Sequence, residues 1–175
     1  MVSNAVAPTR LILFEVAGAV YALPIEDVLE VLENRNCVGI PTLPPEVGGV
    51  VNHHGEALPV ITPSALFDGP QGQGGAEHLL VLGGTGSEAG QLGIPVERVL
   101  GLADAALDPA PSAHWIRERI TLDERVVAVV DAELCFERAE RAFSGSVVRD
   151  GGAQVAAPSG LEELVQELST GEGSQ

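Results

Sequence analysis

YALPIEDVLEVLE, residues 21–33, aligns without a gap against LGIPVERVLGLAD, residues 92–104, pairing Leu23 with Ile94, Pro24 with Pro95, Val28 with Val99 and Leu29 with Leu100. A second match follows in the same order. ALPVITPSALF at 57–67 sets beside VVAVVDAELCF at 126–136, each an apolar run, a break at Thr62 or Asp131, and a short segment ending in Phe67 or Phe136. Two matched blocks in one order imply two related half-structures. A chain of 175 residues buries one good core, or two small cores that share a wall.

Composition narrows the partners. With 25 acidic residues against 9 basic ones the formal charge is −16, which opposes binding to nucleic acid or to an anionic membrane surface, because few cations are on hand to replace the counterions of a polyanion. Every basic residue is an arginine, a compositional bias with no functional message of its own. Cys37 and Cys135 both lie in apolar stretches, and the N-terminus MVSNAVAPTR lacks the basic start and apolar core of a signal peptide. A reduced, cytoplasmic setting is expected. The longest apolar runs, such as VVAVV at 126–130, are strand-length, well short of the roughly 20 residues that span a bilayer.

Along the chain, RLILFEV at 10–16 and VYAL at 20–23 predict a hairpin turning at Gly18, and Pro24 ends its ladder. The spacing in IEDVLEVLE fits helix or strand; a helical turn at 24–27 followed by a strand is expected. GGVVNHHGEALPVI predicts two strands about a turn at His54–Gly55, and TPSALF a short helix that Thr62 can cap. The glycine-rich 68–77 reads as a surface connection, after which HLLVLGG, QLGIPV, VERVLGLAD, HWIRERITLD and ERVVAVV repeat the pattern, closing with DAELCFERAER as a helix capped by Asp131. Residues 139–175 are expected to form a flexible tail. Within it Ser159 and Glu162 have capping-box spacing, and Leu161, Leu164, Val165 and Leu168 make one apolar face of a helix over 160–169, too short to stand alone and expected to dock on its own body or on a partner.

YALPIEDVLEV, IPTLPPEVGGVVNHHGEALPVI and the strand–turn–strand–helix of 116–136 together resemble the chemotaxis coupling-protein (CheW-like) family over about residues 9–138. The most specific block is Gly49-Val50-Val51-Asn52-His53-His54-Gly55, where the family usually has Gly, aliphatics, Asn, any residue, Arg, Gly. The resemblance implies a mainly β fold of two intertwined, small five-stranded β-barrel lobes, one over about 17–67 and the other over 78–138, with a first strand at 10–16. It also implies a non-catalytic adaptor, cytoplasmic or gathered at the inner face of the membrane through receptor arrays. Such an adaptor joins a chemoreceptor cytoplasmic signalling tip to the regulatory domain of a CheA-like histidine kinase. Carried over residue by residue, the partner-binding positions are Val28, Glu30, Gly49, Val51, Asn52, His54 and Gly55. Physically the block reads as a tight hairpin, with Gly55 at positive φ, Gly49 admitting a close neighbour and Asn52 bonding its own backbone. His54 is a departure, replacing a permanent forked cation with an imidazole; an adaptor that keeps its kinase and loses its receptor is the alternative reading.

A second alternative is a barrel-fold hydrolase or metalloprotein using His54 and Glu30. Against it, His53 and His54 are adjacent, so strand geometry would send them to opposite faces, and His78 and His114 have no partner at metal spacing. No metal site, catalytic residue or cofactor is expected, and Gly83-Gly84-Thr85-Gly86 precedes a strand and lacks a following lysine, so it reads as a hairpin turn and not a phosphate loop.

Overall fold

The computed structural model describes residues 7–34, 37–41, 44, 46–67, 75–84, 90–110 and 114–145. The apolar-rich stretch TRLILFEV forms β1 (Thr9–Val16), which turns through Ala17 and Gly18, at φ 52° and 75°, into β2 (Ala19–Pro24). Both central residues have the positive φ that matches a two-residue turn to the twist of its strands. Pro24 ends the ladder, and the expected helical turn is a single 3-10 turn at Ile25–Asp27 leading into β3 (Val28–Glu33). Next come β4 (Val47–His53), β5 (Glu56–Ile61) and the four-residue α1 (Pro63–Leu66). The second half supplies β6 (His78–Gly83), β7 (Gln91–Val96), β8 (Arg98–Ala105), β9 (Ile116–Leu122), β10 (Arg125–Val130) and α2 (Ala132–Gly145), which carries residues 139–145 as helix where a flexible tail is expected, because Ala139 and Phe143 pack on the core.

Among the described residues ten strands build two five-stranded sheets, ordered β8-β1-β2-β10-β9 and β3-β6-β7-β5-β4. Replacing each strand of one order by its repeat counterpart gives the other. Each sheet takes the leading hairpin of one half of the chain and the last three strands of the other, so both sheets draw on both halves. Within each sheet the seam between halves includes one parallel pair, β2 with β10 and β5 with β7.

The repeat extends to the irregularities. Leu29 is the extra residue of a β-bulge between the pairs Val28–Leu82 and Glu30–Val81; its counterpart Leu100 is bulged between Val99–Phe14 and Gly101–Leu13. Gly48 and its counterpart Arg117 are bulged likewise, in β4 and β9. Bulges bend a strand and re-aim the side chains that follow.

Both sheets are buried on two faces. Ile12, Phe14 and Leu23 from one sheet meet Leu80, Leu82, Leu92 and Ile94 from the other in a shared core, closed over by Leu66, Cys135 and Ala139 of the helices and by Phe67 just after α1. The opposite faces hold smaller cores, Leu11, Ala22, Val127 and Val129 in one sheet and Val51, Leu58, Val60, Leu79 and Val81 in the other. Alternation explains the split, since Leu11 and Ile12 point to opposite faces of β1.

The helix caps differ. Asp131 Oδ1 accepts from the Leu134 N–H at 3.1 Å, as expected of an N-cap. Thr62 stands at the N-cap position of α1, but its hydroxyl donates to the Glu46 carbonyl at 3.0 Å instead of capping, because its backbone is already held to Glu46 at the mouth of β4. Arg138 reaches from α2 to donate to the Leu66 carbonyl at 2.6 Å and lies 5.4 Å over the Trp115 ring, fastening the two helices together. Trp115 packs on Tyr21 and Phe67, so it joins the shared core and is not confined to the second half.

Candidate functional site

Two opposite edges of one sheet meet at the family-type hairpin. β3 and β4 are the outermost strands of the second sheet, yet Glu30 of β3 touches both histidines at the end of β4. The sheet therefore curls until its edges close, helped by a bridge between Val38 and Val50 on the free side of β4. The bulge at Leu29 precedes Glu30 directly and sets the direction of its carboxylate.

The hairpin supplies the rest. Asn52 Oδ1 accepts from the Gly55 N–H at 3.0 Å, bracing a turn in which His54 and Gly55 take φ 52° and 88°. The left-handed backbone at His54 swings its ring back toward the preceding one, so the two imidazoles lie 4.3 Å apart, edge to face. The expectation that adjacent histidines diverge is overturned: it assumed strand geometry, and His54 is already in the turn. His53 Nε2 lies 2.9 Å and His54 Nε2 3.1 Å from the same oxygen, Glu30 Oε2. The other nitrogen of His53, Nδ1, faces Gln91 Oε1 of β7 at 3.0 Å.

Burial grades across the group, with side-chain exposure of 9% at His53, 39% at Glu30 and 74% at His54. One ring is anchored in the barrel end and the other faces solvent. Hydrogen bonding from His53 first, then from His54, holds the Glu30 carboxyl below its ordinary range. Sequence reasoning included Glu30 and His54 but missed His53 and Gln91; the His-His-Gly sequence at the turn was the available signal.

The other expected positions have distinct placements. Val28 opens β3 and packs against the shared core, while Val51 is buried in the smaller core of this sheet. Gly49 has φ 138°, and a Cβ there would sit 2.8 Å from the carbonyl carbon of Val38, so the close neighbour it admits is this chain's own backbone. Asn52 and Gly55 are exposed at the hairpin tip. Leu161, Leu164, Val165 and Leu168, with the helix expected at 160–169, lie outside the described residues.

Comparisons with known proteins bear on the family and the fold. The family model for the CheW-like domain matches residues 10–141. The chain belongs to the CheW-like domain family. Among solved structures, the CheW-like fold here is similar to that of the scaffolding protein TtCheW from Thermoanaerobacter tengcongensis, at 20% identity and a TM-score of 0.61, covering 75% of this chain and 89% of that one. A search of curated proteins finds no match. The family is one of scaffolding and coupling proteins, and no helix among the described residues is long and apolar enough to cross a membrane.

Proposed function

We propose that this CheW-like protein is a non-catalytic adaptor that couples the cytoplasmic tip of a chemoreceptor to a CheA-like histidine kinase. The observation that carries the reading is the convergence of the acidic residue of the V-x-E stretch, Glu30, with the turn residue His54 at 3.1 Å on one hairpin end. A hairpin fixed by an internal Asn52 bond and by a closed sheet is a rigid docking surface, and rigidity lowers the entropy lost on binding. His54 contacts Glu30 as an arginine in its place could, but by one Nε2 atom instead of a forked guanidinium. The hairpin end offers a receptor tip a preset surface whose internal contact is a single hydrogen bond, not a forked ion pair.

The test is capture of histidine kinases and receptor signalling tips from the parent organism by the full chain and by His54→Arg. Capture of both partner types supports coupling. Kinase capture without receptor capture, restored by His54→Arg, identifies the divergent adaptor. Failure with every kinase removes the adaptor reading.

A further inference from the structure

We propose that Glu30, His53 and His54 bind a divalent cation of the zinc class at the closed end of the second sheet. The three donor atoms lie within 4.8 Å of one another. Two imidazole nitrogens with one carboxylate oxygen form a donor set that zinc takes readily, whereas calcium and magnesium call for oxygen throughout. With metal–ligand distances of about 2.0–2.2 Å, ligand atoms around a tetrahedral zinc stand roughly 3.4 Å apart. The two contacts to Glu30 Oε2, 2.9 and 3.1 Å, open to that spacing with shifts of a few tenths of an ångström.

The surroundings also suit a metal ligand set. Both nitrogens of His53 face oxygen atoms, and a neutral imidazole has one N–H to share between them. In the metal-bound form Nδ1–H donates to Gln91 Oε1, and the Nε2 lone pair, released from its hydrogen bond to Glu30, turns to the cation. Gln91 is then the outer partner that fixes the tautomer and ring orientation of a metal-bound histidine. The buried His53 is held in place, and the exposed His54 leaves a fourth position open to water or to a partner's side chain. The formal charge of −16 raises the local concentration of cations around the whole molecule.

Such an ion would tie the edge strand β3 to the β4–β5 hairpin and occupy the carboxylate that the adaptor reading offers to a receptor. The site itself rests on side-chain geometry alone and is tested without any partner. The full chain, stripped with a chelator, is titrated calorimetrically with Zn²⁺, with Co²⁺ absorption reporting the ligand set. One Zn²⁺ per chain is expected, its affinity lowered by at least about tenfold in His54→Ala and Glu30→Gln and unchanged in His114→Gln. A tetrahedral cobalt spectrum that is lost with His54→Ala supports the assignment. His54 is exposed, so its variant is expected to keep the wild-type circular dichroism. No uptake by the wild type, or uptake of equal affinity in His54→Ala and Glu30→Gln, overturns the proposal.

Discussion

Gly49 and Gly55 belong to one sequence block but are constrained by different physics. At Gly49 a positive φ combines with the backbone of Val38 pressed against the place a Cβ would fill; at Gly55 that place has no neighbour within 4 Å among the described residues, and the φ of 88° is what a side chain would strain against. Gly49→Ala is therefore expected to cost about 3 kcal/mol or more, since strain and overlap add, and Gly55→Ala about 1–2 kcal/mol. Urea unfolding of the two variants measures the difference; equal costs would mean that Val38 moves aside freely. The turn chemistry of this block was legible because Asn and Gly have few physical uses at a hairpin. The convergence of His53 and His54 was not, since it depends on a left-handed φ at a residue that is not glycine.

At the scale of elements, the 3-10 turn and α2 confront each other with like charge. Burial is the main cause that pushes the Asp27 carboxyl above its ordinary range, with Glu26, Asp131 and Glu133 adding to the shift and Arg117 opposing it. A group whose folded pKa is raised favours the fold fully below its unfolded value, and that contribution is lost as pH rises through the folded value. Asp27→Asn is thus expected to raise the thermal midpoint at neutral pH, with the gain fading as pH falls toward the ordinary carboxyl value of about 3.9. Melting curves for both proteins across that range decide it: a gain that grows toward acid would refute the assignment. The strands themselves were readable from alternation and the turn residues, whereas the bulges at Leu29, Gly48, Leu100 and Arg117 were not. A single extra residue leaves no mark on a short apolar run, yet it decides where Glu30 points.

For the whole molecule, the shared core makes the two sheets one cooperative unit. Ile94 is fully buried and packs among residues of both sheets, so Ile94→Ala is expected to cost about 2–5 kcal/mol. Trp115 fluorescence and far-ultraviolet circular dichroism should fall in one coincident transition, because Trp115 also packs against that core. Separate transitions would show that the sheets unfold independently. The duplication was plain in the paired blocks; the exchange of hairpins was hidden, since periodicity tells which face of a strand is buried and not which sheet receives it. That exchange has a consequence for symmetry. Cut between α1 and β6 and written as two identical half-chains, the same architecture would be a strand-swapped homodimer, with the carboxylate–histidine cluster present at both ends. In the continuous chain the positions equivalent to Glu30, His53 and His54 are Gly101, Leu122 and Asp123, and the second turn keeps its positive φ at Asp123 and Glu124 without any imidazole. Joining the halves turns a two-ended object into a polar one, able to present a different chemistry at each pole.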